Sequence, residues 1–157
     1  GNAFSVFTAQ NFGAGKRDRI KSGIKQSLIS VVLFCAAVST AVFFLSEPLM
    51  SLFCTDSEAI AVGAQYLRTE GLCYIGIGIL FMLYGYYRAV NKPLMSVILT
   101  IFSLGTRVLL AYTLSPVPAF GVMGIWISIP IGWFLADAVG AGYYMIRERN
   151  TQYYDKQ

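Results

Sequence analysis

Three ionisable side chains lie within or beside long apolar stretches of this 157-residue sequence: Glu70, Arg107 and Asp137. An ionisable group in lipid is costly, so such residues usually face a protein interior or a water-filled path. There they pair with each other, bind ions or exchange protons. We therefore take these three as the leading candidates for binding chemistry.

Their spacing along predicted helices allows their heights to be compared. Counted from Arg88 and Pro93, Glu70 lies roughly 27 Å and Arg107 roughly 21 Å away, whereas Asp137 lies roughly 8 Å from the same end. We expect Glu70 and Arg107 to pair. The pair either neutralises a buried charge or separates when Glu70 gains a proton. Asp137 is too distant to join them, and we expect it to hydrogen-bond to neighbouring helices.

Aromatic residues follow Glu70 at helical spacing. Tyr74, Phe81 and Tyr84 approximate one helix face, where ring faces could hold amphipathic cations. Packing within the core is the alternative for each of them. Tyr86 and Tyr87 precede an arginine, and this pattern is typical of an anchor at the membrane interface.

Several other kinds of site are excluded by residue type and spacing. The sequence has no histidine, and Cys35, Cys54 and Cys73 are isolated, so we predict no metal site and no cofactor. The stretch GAGK lacks the rest of a phosphate-binding loop. The net charge of +4 comes from basic residues that flank apolar segments, which argues against nucleic acid as a partner.

The elements that carry these residues are predicted to be membrane-spanning helices. The sequence is 56% hydrophobic and 13% charged, whereas soluble domains are about 25% charged. A helical span needs roughly 20 apolar residues, and barrel-type alternation is absent. The predicted spans are residues 27–45, 72–87, 93–114 and 122–145, preceded by a partial helix at 1–12.

The segments between the spans are polar. Residues 46–68 are predicted to form an interfacial stretch, with a helix start at Ser57 and Glu58. Pro130 is expected to kink the last span. Because the sequence begins within an apolar run, we expect it to be part of a longer membrane protein.

Basic residues predict the orientation. Ten of the twelve Lys and Arg residues lie before the first full span, between the second and third, or after the fourth. The positive-inside rule therefore places the N-terminal basic loop and the C-terminus in the cytoplasm of a multi-pass protein of the plasma or inner membrane.

Four stretches carry a family resemblance. They are FTAQNFGAGKRDRIKSGIKQS, LMSLFCTDSEAIAVGAQYLR, YGYYRAVNKPLMS and FGVMGIWISIPIGWFLAD. In this order and spacing, they resemble the C-terminal portion of the MATE (multidrug and toxic compound extrusion) transporters. The resemblance implies part of a six-helix lobe of a twelve-helix transporter, with the N-terminal lobe supplied by the same polypeptide.

The resemblance also implies an activity. Such proteins export small organic compounds, often cations, in exchange for protons or sodium ions, and the present portion alone is expected to be inactive. The resemblance assigns Gln10, Asn11, Gly13 and Gly15 to a motif that ends a helix at a cytoplasmic loop.

The sequence leaves two alternative functions open. One is a lipid-linked glycan flippase of the same superfamily, which the single intramembrane cation Arg107 does not favour. The other is a membrane assembly subunit that transports nothing. No catalytic residues are recognised, so we do not expect an enzyme.

Overall fold

The computed structural model describes residues 1–118 and 120–154, with side chains described up to residue 147. These residues form six α-helices and no strand, which confirms the predicted all-helical membrane fold. In chain order the helices are α1 (Asn2–Gly13), α2 (Arg17–Ser51), α3 (Ser57–Gly71), α4 (Tyr74–Ala89), α5 (Pro93–Leu114) and α6 (Gly121–Tyr154).

Three of these helices, α2, α5 and α6, are long and apolar enough to cross a bilayer by length and composition. The 16 residues of α4 extend only about 24 Å, which is shorter than a hydrocarbon core of about 30 Å. Helices α3 and α4 pass the same test together, as a pair bent by 51°. The described chain thus has three continuous candidate spans, or four when the bent pair counts as one.

The bent pair differs from the sequence-based prediction. A single span at 72–87 was expected after an interfacial stretch, but helix α3 ends at Gly71 and α4 restarts at Tyr74. The amide of Cys73 still donates to the carbonyl of Glu70 at 3.0 Å, so the chain turns without losing this backbone bond. An apolar sequence at the break carries no signal that would predict the bend.

Helix α2 also extends beyond the predicted span of 27–45. It continues through Pro48 to Ser51, where the Ser51 hydroxyl donates to the Pro48 carbonyl at 2.8 Å. The polar residues near Pro48 suggested a helix end. An ion pair between Glu47 and Arg68, at 2.9 Å, instead joins this end of α2 to α3.

Local sequence accounts for several helix ends. Asp56 caps α3, because its side chain accepts from the amide of Glu58 at 3.2 Å. Pro93 occupies the first turn of α5, where its missing N–H is tolerated. Gly15 has φ +68° in the turn after α1, and Asn91 has φ +56° in the turn before α5.

Helix α6 is the central element of the bundle. In the most apolar 18-residue segment of α6, 39% of the residues are buried. The corresponding share in α2 is only 6%, so α2 leaves most of its apolar side chains exposed. Gly132 brings α6 against α5: a Cβ atom there would lie 2.5 Å from the carbonyl oxygen of Ser103. Gly140 lies against Leu83 and Leu99, and both leucines belong to the buried apolar cluster.

The contacts between helices show which turns lie at the same end of the bundle. Gly78 meets Cys35 and Gly71 meets Val42, so α2 runs antiparallel to the α3–α4 pair. Residues 14–16, residues 90–92 and the C-terminal part of α6 share one end, which we call the basic end; residues 52–56 and 115–118 lie at the opposite end. Of the basic residues predicted for the basic end, Arg149 and Lys156 lie outside the residues whose side chains are described.

Candidate functional site

Glu70 lies in the last turn of α3, directly before the bend. Its side chain is only 4% exposed, and its Oε1 atom has no hydrogen-bond partner in the structure. The preceding turn of α3 contacts the start of α6, where the ring of Tyr66 meets that of Trp126 edge to face at 5.6 Å. The carboxyl group is therefore held between α3 and its neighbours, close to the point where the chain changes direction.

Arg107 approaches this carboxyl group from α5. It is half-buried, its Nε atom is buried without a hydrogen-bond partner, and its charge acts electrostatically on Glu70. No hydrogen bond or ion pair within 4 Å joins the two side chains in the structure. The expected proximity in height is thus present, whereas direct contact is not.

Tyr66 and Tyr74 complete a polar group around this carboxylate. Tyr66 lies within electrostatic range of Glu70, Tyr74 and Arg107. We call these four residues the bend cluster. It combines one acid, one cation and two phenols in the half of the bundle nearer the opposite end, and its acid could exchange a proton.

Asp137 is separate from the bend cluster. It lies on α6, 8% exposed, and neither carboxylate oxygen has a hydrogen-bond partner in the structure. The expectation that it bonds to neighbouring helices is therefore wrong. Trp133 and Ala136 on the same helix belong to the buried apolar cluster, and no described residue donates a hydrogen bond to the carboxylate.

The predicted aromatic face of α4 is divided between two clefts. Tyr74 and Phe81 line a cleft of about 470 Å³ between α2 and α4. Tyr84 lines a second cleft, of about 280 Å³, between α4 and α5, and accepts a hydrogen bond from Thr100 at 3.2 Å. Phe81 borders both, so Tyr74 and Tyr84 do not line one common cavity.

The larger cleft is strongly apolar. Its side chains come from the middle of α2 and the first half of α4, together with Gly1. None of its lining residues is charged. They are Gly1, Ser30, Val31, Phe34, Cys35, Val38, Tyr74, Ile77, Gly78 and Phe81.

The tyrosines predicted to anchor the interface are buried instead. Tyr87 is 0% exposed, and its hydroxyl donates to the carbonyl of Gly140 at 2.5 Å. Tyr86 is also buried, with its ring edge to face with that of Tyr144 at 5.3 Å. Their burial fixes α4 against α6, whereas a position next to Arg88 suggested an exposed location.

The motif at the end of α1 has a structural arrangement. The side-chain amide of Asn11 donates to the Phe7 carbonyl at 2.8 Å. The backbone carbonyl of Asn11 accepts from the amide of Lys16 at 2.9 Å. The carbonyl of Gln10 accepts from Ala14 at 3.1 Å, and the Gln10 side chain is exposed. Of the two glycines, Gly15 alone has a positive φ, while Gly13 is the last residue of α1.

The Glu47–Arg68 pair was not foreseen from the sequence. Arg68 also donates from Nε to the Phe43 carbonyl at 3.4 Å, and its guanidinium lies 5.8 Å from the Phe43 ring centre. Opposite charges 21 residues apart, on either side of a predicted turn, were the available signal.

Pro130 lies inside α6, which continues through it. Among the described residues no group of His, Cys, Asp and Glu could hold a metal ion.

Comparison with known proteins bears on what this arrangement does. The MatE family model matches residues 1–113, which cover α1 to α5 except the last residue of α5. The chain is 26% identical over 97% of its length to a probable multidrug resistance protein, YoeA, of Bacillus subtilis (33% of that protein). It is 28% identical over 91% of its length to an FAD transporter of Shewanella oneidensis (31% of that protein).

A third relative has a similar name. The chain is 25% identical over 81% of its length to a probable multidrug resistance protein, NorM, of Thermotoga maritima, and covers 28% of it. The chain thus spans about a third of the length of the curated relatives it matches. No solved structure matches it.

Proposed function

Because this chain belongs to the MatE family of membrane transporters, we propose that it forms part of a multidrug efflux antiporter, which exports amphipathic or cationic compounds in exchange for protons or sodium ions. The observation that carries the proposal is the match of the family model to residues 1–113, together with relatives named as multidrug resistance proteins. The remaining two thirds of the relatives' length would supply the N-terminal lobe.

The larger cleft supports an amphipathic substrate. Phe34, Tyr74 and Phe81 offer aromatic faces, which attract organic cations and bury apolar surface. Since no lining side chain is charged, the phosphates of a dinucleotide such as FAD would find no cationic side chain there. We therefore favour drug-like compounds over the cargo named for the Shewanella relative.

The bend between α3 and α4 supports a conformational role. Transporter helices are often discontinuous at midplane sites, where irregular backbone lines a cavity. Glu70 lies at this bend, and Arg107 lies on a different helix, so their mutual attraction resists separation of α3 from α5. We propose that the bend cluster stabilises the conformation seen here, and that Tyr84 lines an adjoining part of the substrate path.

The basic end is proposed to face the cytoplasm. The turn after α1 and the start of α2 carry Lys16, Arg17 and Arg19, and the turn after α4 carries Lys92. The positive-inside rule places such ends on the cytoplasmic side of a plasma or inner membrane. Efflux would then carry substrate from the basic end to the opposite end.

Dye accumulation in efflux-deficient bacteria tests the function. Cells that express the full-length protein should accumulate several-fold less of a fluorescent organic cation than cells with an empty vector. Dissipating the proton and sodium gradients should abolish the difference. Expression of residues 1–157 alone should give no efflux, because the central cavity of the family lies between two lobes. Equal accumulation with and without the full-length protein, for a panel of cationic dyes and for FAD, would refute the proposal.

A further inference from the structure

Asp137 occupies the middle of the packed face of α6. Trp133, one turn before it, is 6% exposed, and Ala136, beside it, is 0% exposed. One turn after it, Gly140 lies directly against Leu83 of α4 and Leu99 of α5. Asp137 is thus enclosed by residues that pack α6 against two other helices, with 8% of its own surface exposed.

The carboxyl group has no hydrogen-bond partner among the residues that the structure describes. Both oxygens are buried and neither accepts a hydrogen bond in the structure. Glu70 differs in this respect, because the charge of Arg107 acts on it. Among the described residues, Asp137 is therefore the buried acid without a compensating cation.

Three titratable groups of the neighbouring helices α4 and α5 interact with other residues. On α4, the hydroxyl of Tyr87 donates to Gly140 and that of Tyr84 accepts from Thr100. Arg107 of α5 acts on the carboxyl of Glu70 and on Tyr66, which are both residues of α3. None of these three groups forms a hydrogen bond with Asp137, whose two carboxylate oxygens are buried without a partner among the described residues.

An ionised carboxylate without donors or a cation is strongly unfavourable in an apolar interior, whereas the neutral acid costs far less. We infer that Asp137 is protonated in the conformation described here and is the group that binds and releases the coupling proton. This inference rests on the proposed antiport function and deepens it, since it names the coupling ion and the side chain that carries it.

Release requires water to reach Asp137. The close contacts of Gly132 with Ser103 and of Gly140 with Leu83 and Leu99 keep α6 against α5 and α4 in this conformation. When these helices separate, the O–H bond of the acid breaks, the proton passes to water and the hydrated carboxylate remains. Closure of the helices then requires a proton to be taken up again, which couples proton movement to the conformational cycle.

Infrared difference spectroscopy of the full-length protein tests the protonation directly. At neutral pH the wild type should show the carbonyl stretch of a buried protonated carboxylic acid, and Asp137→Asn should lose intensity equal to one such group. Asp18→Asn, the matched control at an exposed aspartate of α2, should lose none. An unchanged band in Asp137→Asn would overturn the inference. If Asp137→Asn does not assemble, Asp137→Glu should keep the band at a shifted frequency, and an unshifted band would overturn the inference.

Transport measurements separate this inference from the function on which it rests. In proteoliposomes, wild-type export driven by a pH gradient should fall at least tenfold in Asp137→Asn, while dye binding is retained. Export by the wild type with a sodium gradient alone would support the proposed antiport function and overturn the role of Asp137. Failure of the wild type with either gradient would refute the antiport function itself, and pH-driven export retained in Asp137→Asn would refute the inference alone.

Discussion

The carboxyl group of Glu70 and the guanidinium group of Arg107 interact electrostatically without forming an ion pair within 4 Å. They lie on α3 and α5, so their attraction links the segment before the bend to a neighbouring span. Each also retains a buried polar atom without a hydrogen bond, Oε1 of Glu70 and Nε of Arg107. Their attraction therefore favours the conformation in which α3 and α5 lie close together.

Replacing Glu70 tests this relationship. Glu70→Gln leaves the half-buried Arg107 without its compensating charge, which should destabilise the folded protein by about 1–3 kcal/mol. Arg107→Gln should have a comparable effect. The double variant should recover part of the loss, with a coupling energy of about 0.5–3 kcal/mol. Thermal denaturation of the full-length protein in detergent measures all three.

The control for this cycle is the exposed pair of Glu47 and Arg68, whose side chains are 62% and 41% exposed. Its coupling energy should be at most about 1 kcal/mol, as for other exposed ion pairs. If the effects of Glu70→Gln and Arg107→Gln are strictly additive, the electrostatic link is not a stabilising one.

The packing of α5 against α6 predicts the effect of a glycine substitution. A Cβ atom at Gly132 would lie 2.5 Å from the backbone carbonyl of Ser103, and backbone cannot move aside as a flexible side chain can. Gly132→Ala should therefore force the helices apart and cost about 1–3 kcal/mol. Gly142→Ala on the same helix meets nothing within 4 Å and should be neutral or slightly stabilising. Equal midpoints for the two variants would show that α5 and α6 do not pack as described.

The larger cleft predicts which aromatic residue contributes to substrate binding. Phe81 borders both clefts, so Phe81→Ala should weaken binding of a fluorescent organic cation about five- to tenfold, which corresponds to about 1 kcal/mol of lost ring contact. Fluorescence anisotropy titration of the full-length protein measures this. The matched control is Phe102→Ala, an exposed phenylalanine of α5 that lines neither cleft. A control variant weakened as much as Phe81→Ala would assign the effect to general loss of structure.

A native cysteine reports the proposed orientation. Cys54 is partly exposed in the turn at the opposite end, whereas Cys35 is buried. In intact cells, a membrane-impermeant maleimide should label Cys54 from outside, while a cysteine introduced at the exposed Ser22, near the basic end, should react only after permeabilisation. The reverse pattern would invert the orientation. A variant with Cys54→Ser provides the background for the second measurement.

The sequence predicts helices well where the signals are local. An apolar run that begins with Pro93 and ends before a proline-containing turn gives the same bounds as α5, and Ser57 with Glu58 marks the start of α3. The bend at residues 72–73 lies between α3 and α4, and the extension of α2 through Pro48 accompanies a contact between helices, the Glu47–Arg68 pair. Such contacts are not encoded in the periodicity of a single segment.

The candidate site shows the same division. Helical rise alone brings Glu70 and Arg107 to similar heights, because this depends only on position along each span. The rotation of α4 decides that Tyr74 and Tyr84 face different neighbours, and that Tyr87 is buried against α6. The sequence offered Asp137 as a polar residue in need of a partner, and only the packed structure reveals that its surroundings supply none.

Export by the purified protein tests directly whether it is an ion-coupled antiporter. The full-length protein, reconstituted in proteoliposomes of defined orientation, should move a fluorescent organic cation against its gradient when an opposing gradient of protons or sodium ions is imposed, and should stop when an ionophore collapses that gradient. We expect export in exchange for protons. Movement of the dye that is equal with and without an imposed ion gradient, or no greater than in protein-free liposomes, would contradict it.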